Sequence, residues 1–155
     1  MAHLINRQHL DADVGFHSFS FQESDDAVLP VPYPDDFAFG TFLSAHPGRV
    51  DIYSAGHTHT AAVTVDVWDR PAPDPSDTVW DEQAEVDFDS TGGQVALWSM
   101  SLGRTDSVIH LADGGGSWWV RVSCAGREEA ERQSEETDTA DGVERYLVQF
   151  WPRLP

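Results

Sequence analysis

Residues 61–69 read AAVTVDVWD, and this stretch decides the fold class. Apolar side chains occupy every second position in it: Ala61, Val63, Val65 and Val67. Successive side chains of a β-strand point to opposite faces, so the pattern predicts a strand with one face on a core and the other towards solvent. Sheets with one solvated face are usually antiparallel, which sets the first expectation for the chain.

The same two-residue period recurs in shorter runs along the rest of the chain. We predict further strands at residues 16–22, 37–43, 50–53, 84–89, 95–97, 107–111, 118–124 and 145–151. Turn-forming residues separate several of them, as in TGG at 91–93, and no stretch sustains the period of a helix. The sequence therefore predicts an all-β fold, a single-domain antiparallel β-sandwich of about eight strands that spans residues 1–155.

Two segments fall outside this pattern. Residues 1–14 are predicted to be flexible, ahead of the first strand. Residues 126–142, GREEAERQSEETDTADG, contain no large apolar side chain in their interior, which favours an acidic surface loop. A short surface helix over residues 128–133 is the alternative.

The charge of the chain excludes several classes of partner and chemistry. There are 27 acidic residues against nine basic ones, all of them arginine, and the formal net charge is −18. Such a surface repels nucleic-acid phosphates and anionic lipid headgroups, so we expect neither nucleic acid nor a membrane as a direct partner. Without lysine, Schiff-base chemistry and phosphate-binding lysine loops are excluded. A basic protein remains a compatible partner.

The acidic residues include a regularly spaced row on a predicted strand. Glu85, Asp87 and Asp89 would stand on one strand face at intervals of roughly 7 Å, with Asp81 and Glu82 just ahead of them. Such a row could present negative charge to a basic protein surface in the manner of a phosphate track. A Ca²⁺ site is a weaker interpretation, because a flat strand does not wrap an ion. The remaining alternative is a solvated outer face.

Trp68 completes the predicted partner-binding set. It lies on the outer, polar face of its strand together with Asp66. Tryptophans surrounded by charge are typical of binding hot spots, although sandwich cores also contain them. The acidity has a further explanation, since proteins adapted to high salt are acidic and poor in lysine for the sake of solubility.

Residues 56–60, GHTHT, form the most enzyme-like feature of the sequence. On a strand, His57 and His59 would point the same way about 7 Å apart, as two imidazole ligands of a metal do. The spacing fixes no third ligand. A polar turn that leads into the strand at Ala61 is the alternative.

Other catalytic arrangements are missing from the sequence. Cys124 shares an alternating apolar face with its strand neighbours, which predicts a buried thiol rather than a nucleophile. There is no G-x-S-x-G motif, and we expect neither an enzyme nor a cofactor. A single cysteine forms no intramolecular disulfide, and the first residues lack the apolar core of a signal peptide, so we expect a cytoplasmic location.

Three stretches resemble a known family. Residues 17–25, HSFSFQESD, resemble an early strand of the competence protein J family. Residues 118–124 and 145–152 resemble the closing strands of that family and of uncharacterised bacterial proteins that end in a similar Tyr-x-x-Gln-x-Trp-Pro. The resemblance implies a small sandwich fold and, from the family's named member, inhibition of a DNA-entry nuclease.

Charge and resemblance lead to one hypothesis. The chain is a non-enzymatic binding protein whose acidic surface engages a basic protein, such as a nuclease or toxin, as its inhibitor or immunity partner. The first alternative is a small-molecule- or metal-binding sandwich that uses His57 and His59. The second is a structural module whose acidity serves only solubility.

Overall fold

The computed structural model describes residues 2–24, 41–75, 79–99, 103–137 and 141–153. The strands are β1 (Leu4–Val14), β2 (Ser18–Glu23), β3 (Leu43–His46), β4 (Arg49–Tyr53), β5 (His59–Trp68), β6 (Glu82–Ser90), β7 (Gln94–Ser99), β8 (Gly103–His110), β9 (Gly116–Ala125) and β10 (Asp141–Pro152). One helix, α1 (Arg127–Thr137), connects β9 to β10. The all-β prediction is confirmed, with ten described strands rather than about eight. Most of the strand predicted at residues 37–43 lies outside the described residues.

The strands form two five-stranded sheets. The first sheet has the order β1-β5-β10-β9-β6, and the second has the order β3-β4-β2-β7-β8. Neighbouring strands are antiparallel except β5 and β10, which are parallel. A parallel pair needs a long connection, and here β6 to β9 and α1 intervene between the two strands.

The core lies between the two sheets and contains aromatic contacts that join them. Phe19 of β2 packs edge-on against Tyr146 of β10 with ring centroids 5.1 Å apart, and Phe21 packs against Phe150 at 5.9 Å. Burying a phenylalanine side chain contributes about 1.5–3 kcal/mol. The four alternating apolar residues of β5 are each at most 2% exposed, as the opening pattern predicts.

The sequence predicts no strand in residues 1–14 and expects them to be flexible, whereas the structure has β1 at Leu4–Val14. This strand pairs with β5 along its whole length, from Leu4 opposite Trp68 to Val14 opposite His59. It is an edge strand on which only Ala12 and Val14 are buried, so it shows little hydrophobic alternation. Backbone pairing, which leaves no trace in side-chain pattern, holds it in the sheet.

Residues 126–142, predicted as an acidic loop with a short surface helix over residues 128–133 as the alternative, contain α1 at Arg127–Thr137. Asp81 Oδ2 accepts hydrogen bonds from the backbone N–H groups of Gly126 and Arg127, at 2.9 and 3.2 Å, and so caps the start of the helix. The Arg132 side chain pairs with Glu129 and with Glu136, at helical spacing. The capping carboxylate comes from a residue 45 positions away, which a local pattern does not reveal.

The connection from β5 to β6 crosses the outer face of the first sheet. It is described at residues 69–75 and 79–81. Arg121 Nη1 of β9 donates to the carbonyl of Pro73 at 3.2 Å, and Gln149 Nε2 of β10 donates to the same carbonyl at 3.3 Å. This face of the sheet is therefore partly covered. Among the described residues, no helix has the length and apolarity needed to cross a bilayer.

Candidate functional site

The predicted acidic row lies on the edge of the first sheet. Glu85, Asp87 and Asp89 are exposed on the outer face of β6, and they alternate with Val86 and Phe88, which turn towards the core. The period-2 pattern therefore places the three carboxylates together, at one solvent-facing edge. Charged side chains on an edge strand also discourage unwanted pairing with another chain.

Each carboxylate of this row has a polar partner within the chain. Glu85 Oε2 accepts a hydrogen bond from Arg121 Nε at 3.3 Å, and Asp87 forms an ion pair with Arg153. Asp89 Oδ1 accepts a hydrogen bond from the Ser117 hydroxyl at 2.6 Å. The row is thus partly neutralised, which the sequence does not show because the two arginines are 36 and 66 positions away.

The two acids ahead of the row differ in role. Asp81 holds the first turn of α1, as described above, so its carboxylate is engaged in the fold. Glu82 begins β6 and is exposed. Of the predicted acidic set, Glu82 is the residue that shows no side-chain hydrogen bond or ion pair with any other described residue.

Trp68 does not join the acidic row. It lies at the end of β5, three strand spacings from β6, which corresponds to roughly 14 Å. It lines a pocket of about 580 Å³ on the outer face, together with Arg7, Asp66, Trp80 and Arg145. Its buried Nε1 has no hydrogen-bond acceptor among the described residues. The structure therefore separates the predicted aromatic anchor from the predicted charges.

The two histidines of residues 56–60 face different surroundings. His59 is buried at the start of β5, whereas His57 is exposed in the bend before the strand. A Cβ at Gly56 would lie 2.6 Å from His59 Cδ2, so glycine is required for this close approach. The expected parallel presentation of the two imidazoles is not observed. Within the described residues, no three His, Cys, Asp or Glu side chains are grouped so as to hold a metal ion.

His59 belongs to a buried polar cluster together with Ser54, Glu144 and Tyr146. We call it the Glu144 cluster. Glu144 Oε1 accepts hydrogen bonds from the Ser54 and Tyr146 hydroxyls, each at 2.6 Å, and Oε2 accepts one from the Ala55 N–H at 3.1 Å. His59 Nε2 lies 2.7 Å from Ser54 Oγ. Ser54 is completely buried, so its hydroxyl does not meet solvent in this arrangement.

The Glu144 cluster affects the pKa values of the Cys124 thiol and the Tyr146 hydroxyl. Burial, together with the charge of Glu144, raises the pKa of the Cys124 thiol to about 12. The same two causes raise the pKa of Tyr146. Cys124 is therefore a neutral, buried thiol, as its strand pattern predicts, and not an activated nucleophile.

Sequence reasoning missed a turn at residues 15–18, because it began a strand at Phe16. In the structure, Phe16 and His17 form the turn between β1 and β2, with φ angles of 53° and 65°. Positive φ is uncommon for residues other than glycine. Phe16 is 57% exposed and contacts the ring of His57 edge-on, with centroids 5.3 Å apart. Consecutive aromatic residues at a chain reversal give no recognisable turn signal.

Comparison with known proteins gives similarity at the level of structure. No family model matches the chain, and no curated protein matches it. Its structure is similar to the crystal structure of ComJ from Bacillus subtilis, the inhibitor of the DNA-degrading activity of NucA, with a TM-score of 0.62 and 15% identity over 99% of each chain. It is also similar to the crocagin biosynthetic gene J protein, with a TM-score of 0.54 and 14% identity over 99% of each chain. The chain therefore has a ComJ-like fold along nearly its whole length, in agreement with the resemblance found in its sequence.

Proposed function

We propose that this chain is the inhibitor or immunity partner of a basic protein, such as a nuclease, and that it binds this partner without chemistry of its own. The observation that carries the proposal is the likeness of fold to a nuclease inhibitor over 99% of both chains. Fold alone does not carry function, so the electrostatics of the chain must support it independently.

The charge supplies that independent support. A protein that holds DNA is basic where it binds the phosphates, and a chain with a net charge of −18 is attracted to such a surface. The outer edge of β6 keeps an excess of carboxylates even after its two arginine pairs are counted. Complementary charge mainly raises the association rate, which then falls as salt is added.

The ion pairs that the acidic row makes within the chain also contribute to recognition of the partner. Arg121 and Arg153 restrain Glu85 and Asp87 through ion pairs, and Arg153 in addition lies over the ring of Trp119 at 5.7 Å. Side chains that are already ordered lose less conformational entropy on binding. A row of this kind gives a partner both charge and register.

The test is a search for a DNA-cleaving partner in lysate of the source organism. The full chain is immobilised, retained proteins are eluted with salt, and DNA degradation by each is measured with and without the free chain. We expect a basic nuclease whose activity the chain inhibits, with an association rate that falls as salt rises. A retained nuclease that is acidic, or inhibition that is indifferent to salt, would overturn the electrostatic mechanism.

Matched variants locate the contact. Glu82→Gln/Glu85→Gln/Asp89→Asn removes three charges from the edge of β6 and spares Asp81, which caps α1. The control Asp106→Asn/Glu131→Gln/Glu135→Gln removes the same charge from exposed positions on β8 and α1. We expect the first variant to slow association by about tenfold or more and the control to have a much smaller effect. Equal effects would assign the attraction to overall charge.

A further inference from the structure

The turn between β1 and β2 has an unusual sequence for its geometry. Gly15 and Ser18 bridge it, and Ser18 N donates to Gly15 O at 3.0 Å, which leaves Phe16 and His17 as the two central residues. Both have positive φ, the arrangement for which two-residue hairpins favour Asn-Gly or Gly-Gly. A side chain at such a position is strained, and strain of this kind persists where the surrounding structure enforces it and where function uses it.

The fold accounts for His17. Its N–H donates to His57 O at 2.9 Å, and its carbonyl accepts from Ser54 N at 2.6 Å. Its Nδ1 lies 3.1 Å from Ser54 O, and its ring stacks on Tyr53 with centroids 5.1 Å apart. His17 is therefore fixed to the segment that precedes β5, and these contacts offset the cost of its backbone conformation.

The fold does not account for Phe16 in the same way. Phe16 is 57% exposed, and its ring contact among the described residues is an edge contact with the His57 ring. An asparagine or glycine would form the same turn with less strain. The aromatic side chain thus adds little to the interior while it costs strain and exposes apolar surface.

The turn that carries Phe16 is attached to a buried part of the fold. Ser54, to which the turn is hydrogen-bonded, belongs to the Glu144 cluster, whose members are buried. An exposed aromatic ring on a rigid support loses little conformational freedom when a partner covers it. Aromatic side chains held in this way are typical anchors of protein interfaces.

The residues that precede Phe16 in the chain indicate the chemistry of the partner's surface. Asp11 and Asp13 are exposed on the preceding part of β1. Asp13 Oδ1 accepts a hydrogen bond from Thr60 Oγ1 at 3.2 Å, which orients this carboxylate. An exposed apolar tip that follows two exposed carboxylates in the chain is complementary to an apolar pocket with a basic rim.

We infer that Phe16 is the apolar anchor of the inhibitory contact and inserts into a basic-rimmed pocket of the partner protein. This inference rests on the proposed function and adds to it a second contact, at the β1–β2 turn. The backbone strain at Phe16 is then retained because the ring is needed for binding.

The test replaces Phe16 and follows stability and inhibition together. In Phe16→Asn we expect the urea midpoint of unfolding to stay unchanged or rise, because asparagine tolerates positive φ. Inhibition of the nuclease recovered in the capture experiment should weaken by at least about tenfold. The control Ile5→Asn removes another exposed apolar side chain, on β1, and should leave inhibition unchanged.

The outcomes separate this inference from the proposed function. If the native chain inhibits the nuclease and Phe16→Asn inhibits it equally, the anchor is wrong and the proposed function stands. If Phe16→Asn lowers the urea midpoint substantially, the ring serves the fold and the inference is overturned without reference to any partner. If the native chain inhibits no nuclease, both the inference and the proposed function fail.

Discussion

The Ser54 hydroxyl donates a hydrogen bond of 2.6 Å to Glu144 Oε1, between two completely buried residues that are 90 positions apart in the chain. Through it, the segment that precedes β5 is joined to β10, and the β1–β2 turn is joined to both. A buried carboxylate is tolerated only when hydrogen bonds replace its hydration. Here the backbone of Ala55 and the hydroxyl of Tyr146 complete that replacement.

The first prediction concerns the Glu144 cluster. In Glu144→Gln, an amide NH₂ must face groups that now donate to a carboxylate oxygen, so buried donors lose their acceptor. We expect the free energy of unfolding to fall by about 1–3 kcal/mol. Urea denaturation measures it, with Glu131→Gln as an exposed control of the same chemistry on α1. A loss no larger than that of the control would show that the cluster does not stabilise the fold.

The second prediction concerns the close approach at Gly56. In Gly56→Ala the new Cβ would lie 2.6 Å from His59 Cδ2 and 2.8 Å from Nε2, so the buried imidazole must shift and its 2.7 Å contact with Ser54 Oγ is disturbed. We expect a loss of about 1–3 kcal/mol in the free energy of unfolding, as for other cases of overpacking. Gly114→Ala is the control, since no atom lies within 4 Å of its Cβ position. Similar midpoints for the two variants would contradict the packing argument.

The third prediction concerns pH. Burial raises the pKa of Cys124 from 9.0 to about 12, so between these values the unfolded chain releases the thiol proton while the folded chain retains it. The contribution of the neutral thiol to the free energy of unfolding is fully present below about pH 9 and is lost as the pH rises towards 12. The free energy of unfolding should therefore decrease across this range, and Cys124→Ala should show a shallower decrease.

The same neutral thiol has a kinetic consequence. Iodoacetamide attacks thiolates, so at about pH 9 the folded chain should react far more slowly than the chain in denaturant. Mass spectrometry of timed samples measures the two rates. Comparable rates would mean that the thiol is accessible in the folded protein.

The fourth prediction compares the two members of the Glu85–Arg121 pair. Glu85 is a surface acid that pairs with Arg121 alone among the described residues, and Glu85→Gln should change the free energy of unfolding by no more than about 0.5 kcal/mol. Arg121 also donates to the carbonyls of Ala72 and Pro73 and lies over the Trp151 ring at 5.0 Å. Arg121→Gln should therefore cost about 1–3 kcal/mol, because it releases the β5–β6 connection. Equal effects would show that the connection is held by other contacts.

Sequence pattern predicted the elements whose side chains alternate between core and solvent. The strand of residues 61–69 and the carboxylates of Glu85, Asp87 and Asp89 lie as that period requires, on one face each. The period did not identify β1, whose outer residues are polar and whose place depends on backbone pairing with β5. The segment of α1 gave a short surface helix over residues 128–133 only as the alternative to a loop, because the cap Asp81 comes from another part of the chain.

The candidate site was predictable to a similar extent. Charge and spacing indicated a strand face with a row of carboxylates, whereas its position at the edge of the sheet and its arginine partners depend on which strands become neighbours. Trp68 and the acids share a face, yet three strand spacings separate them because β10 and β9 lie between. His57 and His59 share a motif, yet one meets solvent and the other enters the Glu144 cluster.

The sequence by itself determined the all-β class, the charge and the strand face on which carboxylates are spaced, because these follow from composition and from a two-residue period. Only the tertiary structure decided which carboxylates face solvent and which are buried in the fold. Glu23 and Glu144 are buried and accept hydrogen bonds from distant backbone and hydroxyl groups, while Glu82 meets solvent. The physical reason is that burial and hydrogen-bond partners depend on contacts between residues far apart in sequence, which no local pattern contains.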